Sequence, residues 1–291
     1  MTESEVRSLQ SGIEAITASK AEDTDSPDAR RTVDRLLDAL ESGVVRAAAR
    51  DDSGQWVANP WVKAGILLAF RVGGMSLFEN GSFSFVDRET LAPRRFTEED
   101  RVRIVPGGSA VRRGAHLGAG TVCMPPSYVN VGSFVDEDTM VDSHVLVGSC
   151  AQIGARVHLS AAVQIGGVLE PVGALPVIIE DDVFIGGGCG VYEGCIVGRG
   201  AVLAPGVILS RATPVFDLVQ ERVVRANNGL PLMIPSGAVL VPGTRPAASA
   251  FARREGISIY SAVIVKYRDA RTDVATALES ALRAHGMQGR G

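Results

Sequence analysis

Residues 129–165 carry the strongest pattern in the chain: VNVGSFVDEDTMVDSHVLVGSCAQIGARVHLSAAVQI. Every sixth position is aliphatic, namely Val129, Val135, Val141, Val147, Ile153, Leu159 and Ile165. A helix repeats about every 3.6 residues and a strand about every two, so neither explains a strict period of six. Six is the period of hexapeptide β-helix repeats. Each repeat would form one short strand and a tight turn, and three repeats would form one triangular coil.

The aliphatic column extends well beyond this stretch. It reaches back to Val105, breaks at residues 167–176 (GVLEPVGALP), and resumes from Ile179 to Leu209. A second column, four residues later in each repeat, holds small or β-branched side chains. The pattern predicts a mainly β protein, a left-handed parallel β-helix whose aliphatic column fills the interior. Because such coils bury a core only by stacking, the two ends need caps.

We expect three parts along the chain. Residues 1–100 form an N-terminal helical or α+β cap, residues 101–245 form the β-helix, and residues 246–291 form a C-terminal strand and helix. Residues 1–25 are polar and are expected to be frayed or loosely helical.

Local signals place elements at both ends of the chain. Ser26-Pro27-Asp28 marks a helix start, and spaced aliphatics continue that helix to about Ser42-Gly43. SIYSAVIVKY (258–267) is strand-like. A short helix is expected to follow it, through Val274, Leu278 and Leu282.

Composition narrows the classes of partner. The net charge is −4, so there is no basic excess for a nucleic acid. No apolar run approaches the roughly 20 residues of a membrane span, and the polar N-terminus is unlike a secretory signal. Four cysteines without a CxxC motif fit buried thiols in a cytoplasmic protein. We expect a small-molecule substrate, with no nucleic acid and no membrane partner.

A hexapeptide scaffold leaves three functions open: a CoA-dependent acyltransferase, a γ-class carbonic anhydrase with zinc held by three histidines, and a non-catalytic scaffold. The histidines are His116, His144, His158 and His285. His144 and His158 are 14 residues apart, whereas equivalent places in successive coils should be about 18 apart. The spacing disfavours a zinc site, so no metal is predicted.

Residues 124–171, MPPSYVNVGSFVDEDTMVDSHVLVGSCAQIGARVHLSAAVQIGGVLEP, closely resemble the tetrahydrodipicolinate N-succinyltransferases of the diaminopimelate branch of lysine biosynthesis. The resemblance extends back through residues 42–72 and forward to YSAVIVK (260–266). It implies a homotrimer with active sites in clefts between neighbouring coils. It also implies a CoA thioester donor, succinyl-CoA or acetyl-CoA, and an amino or imino dicarboxylate acceptor. The family's product is N-succinyl-2-amino-6-oxopimelate.

The resemblance also assigns site residues. Asp142 matches the family's essential acid, a carboxylate that can take the proton of the attacking nitrogen. Arg103 matches an arginine that binds a carboxylate of the acceptor, for which a planar guanidinium fork is suited. The implied substrate-binding residues are Arg103, Asp142 and Gly166. The implied CoA-binding residues are Gly167, Gly186, Ala204 and Lys266.

One segment departs from the family. Relatives usually read FIGARSEVVEG, whereas residues 184–194 read FIGGGCGVYEG. Gly188, Cys189 and Gly190 therefore stand where the family has Arg, Ser and a second essential Glu, and His144 replaces a Trp. We expect the acceptor, the acyl group or both to differ, as in a specialised-metabolism relative such as the tabtoxin-pathway acyltransferase. An inactive scaffold stays the alternative.

Three side chains near this departure are candidates for the base. His144 could replace the missing Glu, because imidazole exchanges protons near neutral pH, and Glu193 and Tyr192 are weaker candidates. Cys189 could carry the acyl group as a nucleophile, but its place in the column of small interior residues favours an inert packed thiol.

Overall fold

A computed structural model of the chain describes residues 1–19, 26–81, 83–227 and 229–268. Its centre is a parallel β-helix of two-residue strands, arranged in three flat faces that the chain visits in turn. We number the faces in the order in which the chain enters them, and we name each corner by the two faces it joins. The predicted β-helix of hexapeptide repeats is confirmed.

The first face begins with Arg103–Ile104, Val122–Cys123, Met140–Val141, His158–Leu159, Phe184–Ile185 and Val202–Leu203, and continues into Ala238–Pro246, Ser258–Tyr267, Val215–Asp217 and Arg222–Val224. The second face consists of Ala110–Val111, Tyr128–Val129, Leu146–Val147, Gln164–Ile165, Gly190–Val191 and Ile208–Leu209. The third face consists of His116–Leu117, Phe134–Val135, Gln152–Ile153, Ile178–Ile179, Ile196–Val197 and Met233–Ile234.

Strand pairing follows the repeat. Phe134 pairs with His116 in the coil before it and with Gln152 in the coil after it. The register then jumps twice. Gln152 pairs with Ile178 rather than with residue 170, and Val197 pairs with Ile234. Each jump is a loop that leaves the coil and returns in phase, so the interior stack is not interrupted.

The interior is the aliphatic column read from the sequence, with one correction: Ile104, not Val105, is in register with the column in the first strand, because it pairs with Cys123. Val135, Val141, Ile153 and Ile165 are fully buried and belong to one continuous hydrophobic cluster. Burial of such side chains stabilises a fold by about 1.5–3 kcal/mol each before the loss of chain entropy is counted. Since the same position is buried in every coil, the column is the main source of stability for the β-helix.

Three helices precede the coil: α1 (Glu3–Ala18), α2 (Pro27–Glu41) and α3 (Pro60–Ala69). Residues 1–25 were expected to be frayed or loosely helical, and Glu3–Ala18 instead form a regular, capped α-helix. Thr2 and Glu5 form a capping box at the start of α1, and Leu9 and Ile13 are completely buried. The predicted helix start at Ser26 is confirmed, because its hydroxyl accepts a hydrogen bond from the N–H of Ala29.

Two hairpins and two short 3-10 helices complete the N-terminal region. The hairpins are Ala48–Arg50 with Trp56–Ala58 and Met75–Asn80 with Phe83–Arg88, and the 3-10 helices are Glu89–Leu91 and Glu98–Asp100. The helices pack on the coil through buried Val131 and Cys150, at the corner between the second and third faces.

The C-terminal part crosses the end of the coil. Ala238–Pro246 pairs antiparallel with Ser258–Tyr267, and α4 (Ala250–Arg254) lies between them. The strand predicted at 258–267 is therefore confirmed. The helix expected through Val274, Leu278 and Leu282 lies outside the described residues. The domain boundaries at 100/101 and 245/246 stay predictions. No helix of the described ranges is both long and apolar enough to cross a bilayer.

Candidate active site

Three of the residues assigned by resemblance stack along the corner between the first and second faces. Asp142, Gly186 and Ala204 each follow the second residue of a first-face strand. Each donates its backbone N–H to the next coil, to Leu159, Leu203 and Leu240 respectively, at 2.8–3.0 Å. With strands roughly 4.8 Å apart, Asp142 lies about 10 Å from Gly186 along the corner. These residues therefore lie in one row along this corner.

Asp142 is half-buried, and only one of its carboxylate oxygens is engaged. Its Oδ1 accepts a hydrogen bond of 2.7 Å from the N–H of Ser143. That bond fixes the carboxylate in the turn, as a purely structural aspartate would be fixed. The other oxygen has no hydrogen bond to any described residue, so it is available to a ligand.

His144 lies two residues further, at the point of the same corner. Its backbone is left-handed (φ 63°). The equivalent positions in the later coils of this chain are also left-handed, and they are Ala162, Gly188 and Gly206. Its N–H donates to the carbonyl of Pro126 at 2.5 Å, and its side chain is exposed. The imidazole makes no hydrogen bond with the part of the chain that the structure describes. Asp142 and His144 thus lie on the same corner, each with a polar atom that has no hydrogen bond to a described residue.

The glycine at 186 has a packing explanation that needs no ligand. A Cβ at Gly186 would come within 2.6 Å of the nitrogen of Pro205 in the next coil. Gly167, on the corner between the second and third faces, is similar, because a Cβ there would lie 2.8 Å from the nitrogen of Ser149. Close stacking of coils therefore requires both glycines, and their assignment to CoA stays a prediction.

Gly166 and Gly190 share a different neighbour, the ring of Tyr192. A Cβ at Gly190 would be 2.7 Å from the Tyr192 hydroxyl oxygen, and a Cβ at Gly166 would be 2.8 Å from its Cδ1. The half-buried phenol ring therefore lies back over the second face and fills the space that side chains at 166 and 190 would need. Its hydroxyl has no hydrogen bond to a described residue. We call Gly166, Gly190 and Tyr192 the tyrosine shelf.

Arg103 and Lys266 lie far from each other on the first face. Arg103 is in the first strand of that face, and Lys266 pairs with Val239 near its other end. Seven strand spacings separate them, roughly 33 Å. Arg103 is exposed and makes no ion pair with a described residue. Lys266 is therefore far from Asp142 within one chain. Arg103 lies two strand spacings, roughly 10 Å, from Met140 in the strand before Asp142, on the side away from Gly186.

The cysteines are buried, as the sequence indicates. Cys123, Cys150, Cys189 and Cys195 are all unpaired and inaccessible. Burial raises the pKa of the Cys189 thiol to about 11, and its Sγ lies 3.0 Å from the carbonyl oxygen of Ala204. A buried protonated thiol is a poor nucleophile, which supports the expectation that Cys189 is inert.

The histidines of the described chain lie in three separate places. His116 is on the third face, stacked on Phe134 with ring centroids 4.5 Å apart. His158 is on the first face, and His144 is on the corner between the first and second faces. No group of three or more His, Cys, Asp or Glu side chains within the described ranges has the arrangement of a metal site. His285 lies outside them.

Tyr192 is the feature that sequence reasoning undervalued. Its spacing in the repeat places it at a corner, and nothing in that pattern indicates the direction of the ring. The glycine at 190 is the only available signal, because it opens the space that the ring then takes. The substitution at 190 and the tyrosine at 192 are thus one coupled feature of the site.

Comparison with known proteins supports the resemblance. Residues 8–72 match the family model of the tetrahydrodipicolinate N-succinyltransferase N-terminal region, and residues 176–211 match the bacterial transferase hexapeptide model of six repeats. The 2,3,4,5-tetrahydropyridine-2,6-dicarboxylate N-succinyltransferase of Idiomarina loihiensis is 41% identical over 268 residues, covering 90% of this chain and 92% of the relative. The enzyme of the same name from Albidiferax ferrireducens is 40% identical, with 86% and 88% covered. This chain is therefore an acyltransferase and belongs to the tetrahydropyridine-dicarboxylate N-succinyltransferase family.

Proposed function

We propose that this enzyme transfers an acyl group from a CoA thioester to the nitrogen of tetrahydropyridine-2,6-dicarboxylate or a closely related amino or imino dicarboxylate. The observation that carries the proposal is Asp142, which holds one carboxylate oxygen free on an open corner beside His144. The names of the relatives support the reaction and its acceptor. Succinyl-CoA and acetyl-CoA are the two candidate donors.

The chemistry assigns a step to each group. Water adds across the C=N bond of the cyclic imine, so the ring nitrogen gains a hydrogen and the carbon beside it gains a hydroxyl. That nitrogen attacks the thioester carbonyl carbon, and the free oxygen of Asp142 takes the proton that the nitrogen then loses. The hydroxyl-bearing carbon later breaks its bond to the nitrogen and becomes the ketone of the open-chain product. The tetrahedral adduct then breaks its C–S bond, and the CoA thiolate leaves and takes up a proton. His144 is the second candidate for carrying a proton in the reaction. It would act in place of the glutamate that the family has at position 190, where this chain has a glycine.

The developing oxyanion needs a donor, and two glycines are unable to provide one. The N–H groups of Gly166 and Gly186 already donate to Val191 and Leu203, each at 2.8 Å. The next N–H groups, those of Gly167 and Gly187, make no hydrogen bond to the described residues. We propose the Gly187 N–H as the donor, because it lies on the same corner as Asp142 and a preorganised backbone N–H stabilises an oxyanion without reorganisation.

A thiol-release assay tests the function directly. The purified full-length protein is incubated with tetrahydropyridine-2,6-dicarboxylate and either succinyl-CoA or acetyl-CoA, and free CoA is followed with a thiol reagent. We expect acceptor-dependent release with at least one donor. Absence of acceptor-dependent release with both donors would contradict the proposed reaction and favour a changed acceptor or an inactive scaffold.

A changed acceptor or acyl group is the second candidate, and the tyrosine shelf favours it. Gly188 and Gly190 remove two charged side chains relative to the family pattern, while Tyr192 contracts the space and offers a neutral hydroxyl. The same assay with other amino dicarboxylates and with simple primary amines separates the two. A higher kcat/KM for another amine than for tetrahydropyridine-2,6-dicarboxylate would establish the changed acceptor.

We also propose that the enzyme is a homotrimer with active sites between subunits, as the family resemblance implies. Support comes from the outer side of the second face, where Tyr128 and Ile208 are each 37% exposed. Covering these side chains would remove apolar area from water. Light scattering on the purified protein should give the mass of three chains. The cytoplasmic location stays a prediction.

A further inference from the structure

A cavity of about 360 Å³ lies on the far side of the coil from the proposed catalytic corner. It opens between the hairpin of Ala48–Arg50 and Trp56–Ala58 and the corner that joins the third face to the first. Charged side chains of both signs line it. Its volume exceeds that of several water molecules and suits a small organic ligand.

Most of these charges are already paired with one another. Glu180 contacts Arg50 through Oε1, and the same oxygen accepts a hydrogen bond of 3.0 Å from Trp56 Nε1. Its Oε2 accepts from the N–H of Arg199 at 3.0 Å. Asp181 accepts from the N–H of Ala155 through Oδ1 and pairs with Arg199 through Oδ2. These groups form the wall of the cavity and have little left to offer a ligand.

Arg46 is the cation that remains. Its Nε donates to Gln152 Oε1 at 2.8 Å, and its guanidinium carbon lies 3.7 Å from the centroid of the Phe134 ring. Its two terminal nitrogens make no hydrogen bond or ion pair with a described residue. Burial, partly offset by Asp136 and Asp181, lowers the pKa of Arg46. A desolvated guanidinium with a free fork is suited to bidentate recognition of a carboxylate.

Asp136 is the anion that remains. Its Oδ1 accepts a hydrogen bond of 2.9 Å from the N–H of Glu137, and the other oxygen has no described partner. Every carboxylate oxygen of Asp136 is more than 4.0 Å from the guanidinium nitrogens of Arg46, so the two side chains form no ion pair. The cavity therefore holds one unpaired cation and one unpaired anion that are too far apart to neutralise each other directly.

We propose that this cavity binds a free α-amino acid, with the ligand carboxylate on the Arg46 fork and its ammonium group on Asp136. A zwitterion satisfies both charges at once, whereas an anion or a cation alone would leave one of them unpaired. Glu180 is paired with Arg50, and Asp181 is paired with Arg199. The cavity therefore has no further free charge for a larger ionic ligand. The site is independent of the acyl-transfer reaction and joins the N-terminal hairpin to the coil.

Thermal shift and calorimetry on the full chain test the site with a panel of free L-α-amino acids. We expect at least one of them to raise the Tm in a saturable manner. Its N-acetyl derivative and its amide each lack one charge, and each should bind about ten-fold or more weakly. The variants Arg46→Met and Asp136→Asn should lose the same binding.

Arg156→Met is the matched control. Arg156 lies on the same corner but outside the cavity, in an exposed bidentate pair with Asp182. This variant should bind like the wild type. Asp136→Asn conserves shape, so it reports on binding even if Arg46→Met fails to fold. The proposal is overturned if no amino acid binds, if binding survives Asp136→Asn unchanged, or if the N-acetyl derivative binds as well as the free amino acid.

Discussion

The second and third faces share one interior and differ on their outer sides. Inside, both carry the aliphatic column, for example Ile165 on the second face and Ile153 on the third, and both residues are fully buried. Outside, the third face carries Phe134 and Gln152 beneath the side chain of Arg46. The second face carries Gly190, and its outer side has no such cover from the described N-terminal residues.

The difference separates two kinds of information in the same repeat. The inward position sets the coil and is interchangeable between faces. The outward position decides what the face contacts: the N-terminal hairpin on the third face, and a ligand or another subunit on the second. A substitution on the outer side of the third face should therefore affect stability, and one along the border of the second face should affect activity.

The largest expected effect is at Asp142, on the border of the second face. Asp142→Asn keeps the turn geometry and removes the base. We expect kcat/KM in the thiol-release assay to fall by about 10²–10⁴-fold, the usual contribution of general base catalysis. The Tm should change little, because an Asn side-chain oxygen can still accept the bond from Ser143.

Asp138→Asn is the control for that variant. Asp138 is an exposed aspartate at the left-handed position of the preceding corner (φ 55°), where Asn is well tolerated. It should retain wild-type kcat/KM. If Asp142→Asn and Asp138→Asn were equally active, Asp142 would not be the base.

Two glutamines offer a direct comparison of the faces. Gln152 and Gln164 occupy the same outward position of the repeat. Gln152 is 1% exposed and bonds Arg46 and the carbonyl of Cys150. Gln164 is half-buried and bonds the carbonyl of His144. We expect Gln152→Ala to lower the free energy of unfolding by about 2–3 kcal/mol, since it leaves buried polar groups unpaired.

Gln164→Ala should lower the free energy of unfolding by less than about 1 kcal/mol. Water can reach the backbone carbonyl groups that lose their hydrogen bonds in this variant. Urea unfolding of both variants measures the difference. Equal losses in the two variants would show that the N-terminal cover of the third face does not make its outer positions more important for stability.

Periodicity was sufficient to predict the interior and the strands from Val111 onward, but it put Val105 where the structure has Ile104. The break at 167–176 was also readable, because the aliphatic column resumes after that loop. The folded helix at Glu3–Ala18 was missed, although Val6, Leu9, Ile13 and Ile16 recur at spacings of three and four and pack in one cluster. The polar residues between them outweighed this apolar face in the interpretation of the sequence.

The site was less predictable than the fold, for a physical reason. Asp142 follows from a motif, because its position in the repeat fixes its corner. The tyrosine shelf depends on the rotamer of Tyr192. The cavity depends on contact between Arg46 and Gln152, which are 106 residues apart in sequence. Such pairings arise only when the N-terminal part docks on the coil.

A smaller effect is expected at the tyrosine shelf. Tyr192→Phe keeps the ring over Gly166 and Gly190 and removes only the hydroxyl. If that hydroxyl bonds the substrate, kcat/KM should fall by about 2–10-fold, the contribution of one neutral hydrogen bond. The Tm should not change, because no described residue bonds the hydroxyl. Unchanged kinetics would limit Tyr192 to filling space.

The smallest effect is the pH response of His116, on the covered third face. Burial, as the main cause, lowers the pKa of His116 below its ordinary value of 6.5, although its Nδ1 lies 2.8 Å from the Glu41 carbonyl oxygen. The unfolded chain therefore binds this proton first as the pH falls. The contribution of neutral His116 to the free energy of unfolding is complete above about pH 6.5. It is lost as the pH falls toward the pKa of His116 in the folded state. Between pH 7.5 and 5.5 the wild type should lose more Tm than His116→Gln, and an identical loss would show that protonation of His116 is not coupled to docking of the N-terminal helices.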